Sequence, residues 1–147
     1  MHSEQETSTS LVCRCLDATN RWDFAALEAL LAADVVFEMP FAPPGFQRRI
    51  EGRDTMLEFI RTVPSFIDQE RLHDVELFAF GAAGSRVVAT YKSDMNILPT
   101  GLNYRNQYVS LFTIEHGRIV HFAEHYDGIL LLEAMGGSVQ APASTGS

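Results

Sequence analysis

The chain has 147 residues, of which 46% are hydrophobic and 20% charged, and its net charge is −8. That length suits one domain, and the composition excludes a mainly disordered chain. Eleven basic residues against nineteen acidic ones leave no clustered basic footprint for nucleic acid and disfavour an anionic membrane surface.

No apolar run approaches the roughly 18 residues that a membrane span needs. The opening MHSEQETSTS has no basic stretch followed by an apolar one, so no signal peptide is expected and the default expectation is a cytoplasmic protein. Residues 10–135 are expected to form a single domain. The polar residues 1–9 and the small, proline-containing residues 138–147 are expected to be disordered tails.

Ser8, Thr9 or Ser10 can cap a first helix, in which Leu11, Val12, Cys15 and Leu16 recur at helical spacing. Cys13 and Cys15 diverge by about 200° on such a helix, so no disulfide is expected between them. Asp23 caps a second helix, FAALEALLA. VVFEM at 35–39 reads as a strand ending at Pro40, and PFAPPGFQ, rich in Pro and Gly, reads as a loop. Asp54 caps a third helix through Val63. From residue 69 the apolar period changes from 3.6 to 2. LHDVELFAF, SRVVATYKSDMNIL, LNYRNQYVSLFTI and RIVHFAEHYD then read as four long strands joined by the turns GAAG, PTG and EHG. A short last helix follows at 128–135.

This order predicts the α+β class: a curved antiparallel sheet covered by three N-terminal helices, closing into a cone-shaped barrel. The open end of such a cone is the default place for a small apolar ligand.

Within the last strand Glu124 shares a face with Val120, Phe122 and Tyr126. An acid on an apolar face is desolvated, which lifts its pKa toward neutrality and suits it to moving protons. Lys92 and Asp94 lie two apart on one strand, where a cation can hold a carboxylate ionised or relay a proton. Their parity mates are Thr90 and Asn96, so parity alone turns them to solvent. Glu38 alternates with Val35, Phe37 and Met39, which places it opposite the apolar face or, alternatively, in the cavity. His73 shares parity with Val75, Leu77 and Ala79. His121 and His125 lie opposite Glu124, on the outer surface of the sheet or at a subunit contact. Tyr104, Asn106, Tyr108 and Ser110 share a face and form a ladder of hydrogen-bonding groups able to orient a carbonyl or phenol. Trp22 and Phe122 are further candidates to contact a substrate. The five histidines show no metal-ligand spacing, and GxSxG, P-loop and GxGxxG motifs are lacking. Neither a metal nor an organic cofactor is expected.

The segment order, the passage VVFEMPFAPPG…IEGRDTMLEFI and the ending FTIEHGRIVHFAEHYD resemble the SnoaL-like branch of the nuclear transport factor 2-like superfamily. That superfamily includes ketosteroid isomerases, polyketide cyclases, limonene-epoxide hydrolases, phenazine-biosynthesis proteins and non-catalytic binding domains. The resemblance implies a cone-shaped pocket and a homodimer built through the outer sheet face. The epoxide-hydrolase pattern maps its Arg-x-Asp onto Lys92 and Asp94 and its last-strand acid onto Glu124. Its water-holding Tyr and Asn fall on Val36 and Glu38. The ketosteroid-isomerase pattern puts its first-helix Tyr on Cys15, its base on Met39 beside Glu38, and its acid donor near Tyr108 or Val109.

Three functional readings follow. The first is an acid–base enzyme on a small apolar cyclic or polyketide-like metabolite, with Glu124, Asp94 and Lys92 catalytic and Glu38, His73, Tyr108, Asn106, Trp22 and Phe122 contacting substrate. The second is an epoxide hydrolase in which Glu38 helps hold water. The third is a non-catalytic pocket or scaffold protein. Convergence of Glu38, Asp94 and Glu124 on one cavity is the test of a shared relay among them.

Overall fold

Long alternating segments pair into one mixed sheet, and a computed structural model describes this arrangement for residues 6–143. The chain runs α1 (Ser8–Asn20), α2 (Phe24–Leu30), β1 (Leu31–Glu38), β2 (Arg49–Glu51), α3 (Arg53–Thr62), β3 (Leu72–Phe80), β4 (Arg86–Asn96), β5 (Asn103–Glu115), β6 (Arg118–Tyr126) and α4 (Gly128–Ala134). A single 3₁₀ turn, Val63–Ser65, follows α3.

The helix starts have local causes. The Thr7 hydroxyl accepts from Ser10 N, so the cap of α1 lies one residue before the expected serines and threonine. Asp23 caps α2 by accepting from Ala26 N, as its position predicts. At α3 the cap position is Gly52, whose φ of +92° places it outside the range most L-residues adopt; Asp54 sits inside the first turn. Asp127 accepts from Ile129 N and Leu130 N at the start of α4.

The strand order is β2-β1-β6-β5-β4-β3. β1 runs parallel to β6 and all other neighbours are antiparallel. The expected wholly antiparallel sheet is therefore corrected: β6 returns beside β1 after the whole meander, and that return makes one parallel pair. The sheet also stays open at β2 and β3 and does not close into a barrel. The helices cover one face, with α4 joining the three N-terminal ones. Strand β2, three residues long, falls where the sequence reads as loop and helix approach.

The core lies between helices and sheet. Leu11, Val12, Cys15 and Leu16 of α1, Leu27 and Leu30 of α2, and Met56 and Leu57 of α3 meet Val87, Ala89, Tyr91, Phe112 and Phe122 of the sheet. Phe122 meets Phe37 in a tilted pair at 4.9 Å and Phe112 edge-to-face at 4.2 Å between ring centroids, arrangements that favour aromatic pairs. Of the expected tails, Ser8 and Thr9 belong to α1, and 138–143 is exposed without regular structure. Residues 1–5 and 144–147 lie outside the described residues.

Candidate active-site cavity

Helices on one face of a curved sheet leave a cavity of about 370 Å³. Its walls are mostly apolar, from Leu16, Leu27, Phe37, Met56, Phe59 and Ile97. Its polar groups are Glu124 of β6, Glu70 from the segment before β3, Trp22 from the α1–α2 turn, tyrosines of the sheet, and the neutral Thr19, Gln47 and Thr62. Among the described residues, no Lys, Arg or His side chain lines it.

Glu124 is half-buried and accepts a hydrogen bond from Tyr91 Oη at 2.9 Å. Burial pushes its carboxyl up to about 7, and the Tyr91 donor holds back part of the rise. Ser110 Oγ lies 2.7 Å from Tyr91 Oη. With the Tyr91 proton directed at Glu124, the serine is the donor, so the series runs Ser110 to Tyr91 to Glu124. Burial raises Tyr91 well above the usual phenol range, and the Glu124 charge adds to this. Cys15, also beside Glu124, is pushed up to about 12 by burial and by that charge, so it stays a neutral thiol.

A second hydroxyl series lies alongside on β4 and β5. Ser93 Oγ sits 2.9 Å from Tyr108 Oη, and Tyr108 donates to Tyr104 Oη at 3.4 Å. Asn106 Nδ2 donates to the same Tyr104 oxygen at 2.7 Å. Tyr104 Oη thus accepts twice, which leaves its own proton available to the cavity. Burial pushes the Tyr104 phenol up to about 12, so it remains a donor near neutrality.

Glu70 is the residue that periodicity does not reveal. Burial, then the nearby Glu124 charge, push its carboxyl up to about 7. The Trp22 indole N–H opposes that rise, yet it is buried and closes no hydrogen bond of normal geometry among the described residues. Trp22 has a φ of +52°, a left-handed conformation that costs a bulky residue energy and that surrounding packing must enforce. Glu70 lies in irregular chain, where no alternation assigns a face. The only sequence signal is an acid two residues before an apolar strand.

The structure brings together Glu124, Tyr108, Trp22 and Phe122 in the cavity. Asn106 is buried with them but fully engaged: Nδ2 also donates to Asp127 O, and Oδ1 accepts from Asp127 N and Gln107 N. It positions Tyr104 and the β6–α4 junction and has no group left for a substrate.

Asp94, Lys92, His73 and Glu38 lie on the other face of the sheet, which corrects their assignment to a common relay or substrate contact. The Asp94 carboxylate accepts from Asn103 Nδ2 at 3.0 Å and pairs with Arg105 at 3.4 Å. The Asn103 bond, then Arg105, hold it below the usual carboxylate range. Lys92 Nζ and His73 Nδ1 lie 3.9 and 3.3 Å from Asp74. Glu38 is bonded to His121 Nε2 at 2.8 Å and Arg49 at 2.6 Å, and those bonds, His121 first, lower its pKa. Glu38 is thus remote from any water held beside Glu124. His73 misses the cavity because the β3–β4 register shifts between His73 and Glu76. Asp74, at φ +54°, makes a bulge, and one extra residue reverses side-chain parity.

His121 and His125 are on the outer face, as parity places them. An open groove of about 750 Å³ crosses that face, bordered by Phe41, Lys92, Gln107, Val109 and His125. Among the described residues, no three His, Cys, Asp or Glu side chains meet as a metal centre would require, and no helix is long and apolar enough to cross a membrane.

Comparison with known proteins gives three kinds of match. The SnoaL-like domain matches residues 12–122. Protein YesE of Bacillus subtilis (strain 168) is 31% identical over 116 residues, covering 79% of this chain and 78% of YesE. Among crystal structures, a candidate isomerase from Bacillus subtilis superposes with a TM-score of 0.78 at 26% identity, covering 89% of this chain and 94% of its own. A candidate polyketide cyclase from Pseudomonas putida KT2440 superposes with a TM-score of 0.72 at 26% identity, covering 82% and 92%.

Proposed function

The chain belongs to the SnoaL-like domain family, and on that premise we propose that it is an acid–base enzyme of the isomerase or cyclase kind. Its substrate is a small, largely apolar cyclic or polyketide-like ketone held in the 370 Å³ cavity. The observation that carries this reading is Glu124: a carboxyl in an apolar cavity, aligned by Tyr91, with its pKa raised to about 7 and no cation beside it. Similarity to a candidate isomerase and a candidate polyketide cyclase supports the same class.

In this mechanism the Glu124 carboxylate takes a proton from the carbon next to the substrate carbonyl. The C–H electrons form the enolate, and the charge collects on the carbonyl oxygen. The free Tyr104 proton, polarised by the Ser93–Tyr108 series, hydrogen-bonds that oxygen. Glu124 then returns its proton to a different carbon, which is an isomerisation. Alternatively the enolate carbon attacks a second carbonyl of the same molecule, which closes a ring, and Glu124 returns its proton to the alkoxide oxygen that forms. A pKa near neutrality lets one group serve as base and then as acid.

Solvent-deuterium incorporation next to the carbonyl, followed by NMR over a panel of bicyclic and tricyclic ketones, tests the reading without knowledge of the natural substrate. Glu124→Gln is expected to lower exchange by roughly 10²–10⁴-fold while circular dichroism shows the fold retained. Full exchange in a folded Glu124→Gln protein refutes the role.

A further inference from the structure

We infer that the cavity selects a substrate carrying a protonated nitrogen on its apolar body, and that Glu70 is the residue that binds it. The inference rests on the reading of the cavity as the substrate site and adds the chemical class of what enters it.

The argument begins with charge pairing. Buried carboxylates are normally paired, because an isolated charge in an apolar site is costly. On the solvent side of the fold carboxylates find partners even with water at hand: Glu38 meets His121 and Arg49, Asp68 meets Asn96 and Arg71, and Asp94 meets Asn103 and Arg105. Glu124 has the Tyr91 donor. Glu70 has neither a cation nor a hydrogen bond of normal geometry among the described residues, and no basic side chain shares its cavity.

Its partner is then either a proton or a cation brought by the ligand. The surroundings favour the cation. The Trp22 indole and the Tyr104 ring border the same cavity, and aromatic faces attract ammonium groups. The groups that bear on Glu70 are Glu124 from β6, Trp22 from the α1–α2 turn and Tyr104 from β5; none carries positive charge. A carboxylate or phosphate ester entering the cavity would meet two acids and no base. A neutral ligand would leave Glu70 protonated. An ammonium satisfies the carboxylate and the ring faces together, while Glu124 and Tyr104 remain available to the carbonyl.

The test is calorimetric titration of the full chain with three probes of one shape: aminoindane, indanol and indane carboxylate. At about pH 8, above the Glu70 pKa of about 7, the amine is expected to bind about tenfold more tightly than the alcohol, with the carboxylate weakest. At about pH 5.5 Glu70 is protonated, and the preference for the amine is expected to shrink. In Glu70→Gln the preference is expected to fall several-fold, with Glu124 accounting for what remains, while indanol still binds, which also shows that the cavity is intact.

Equal binding of amine and alcohol by the wild type at about pH 8 overturns the inference, as does an amine preference that is undiminished in Glu70→Gln. Failure of all three probes to bind overturns it together with the cavity as substrate site. Loss of the acid–base reading is a separate result, seen as full deuterium exchange by Glu124→Gln with the amine preference undisturbed.

Discussion

Replacing Glu124 by Gln should make the protein more stable, and only above a definite pH. The folded-state pKa is raised from 4.5 to about 7, chiefly by burial. Between those values the folded chain keeps a proton at this position that the unfolded chain has released. Folded stability must therefore fall as pH rises from about 4.5 to about 7 and level off above that. The difference between the two pKa values corresponds to about 3 kcal/mol, an upper figure because Glu124 is only half-buried and borders a cavity open to water. A glutamine is neutral throughout and can still accept from Tyr91, so it escapes this loss. Urea denaturation of wild type and Glu124→Gln at about pH 5, 6, 7 and 8 measures the effect. The variant's advantage should be small at pH 5 and grow by about 1–3 kcal/mol at pH 8. Because the Glu124 charge also raises the Glu70 pKa, the comparison is made with Glu70→Gln present in both proteins, so that the difference isolates position 124. An advantage that stays flat across this range would mean that Glu124 is solvated and ordinary. The reasoning on its acid–base role would then lose its basis.

Three other expectations are simpler to check. Tyr91→Phe removes the donor that holds the Glu124 pKa down, so the pH midpoint of deuterium exchange should move upward; an unchanged or lowered midpoint contradicts the assignment. Asp94→Asn and Lys92→Gln alter ion pairs and the Asn103 hydrogen bond on the opposite sheet face and should leave exchange at wild-type rate, whereas a large loss would restore them to the mechanism. A homodimer through the outer sheet face is proposed because Phe78, Phe80 and Val109 expose 54%, 40% and 50% of their surface there, an apolar patch that partners commonly cover. Val109→Glu should convert a dimer to a monomer in sedimentation velocity, and a wild-type monomer would remove the proposal.

Much of the fold was legible because its strands are long. Thirteen residues of β5 alternate without interruption, with Tyr104, Asn106, Tyr108, Ser110, Phe112 and Ile114 all buried, and such a run admits only one assignment of faces. The α2 boundary was readable from Asp23, whose side chain must accept from a helix N–H. Alternation fails where the chain inserts a residue. At Asp74 a left-handed residue shifts the register and sends His73 outward while Leu77 turns in; no periodic count contains that insertion. A second shift, between Thr113 and Ile114, buries Ile119 fully and leaves Val120 half-buried. The parallel β1–β6 pair was equally hidden, because it joins segments far apart in sequence and leaves no local trace.

The same contrast separates the two acids of the cavity. Glu124 was visible because three residues on its strand declare which side is apolar. Glu70 has no such neighbours: Asp68, Gln69 and Arg71 beside it are polar and exposed, so every local cue assigns it to solvent. It faces the cavity because the segment after α3 is tied down elsewhere. Asp68 accepts from Asn96 N and Nδ2, Ile67 bridges to Ile97, and Asn20 from α1 holds both the N–H and the carbonyl of Leu72. Those anchors fix the backbone on either side of Glu70, and its placement in the cavity is a consequence of tertiary hydrogen bonds. A carboxyl delivered to an apolar cavity in this way, with only the Trp22 indole N–H turned toward it, is held either by a proton or by a cation from what the cavity binds.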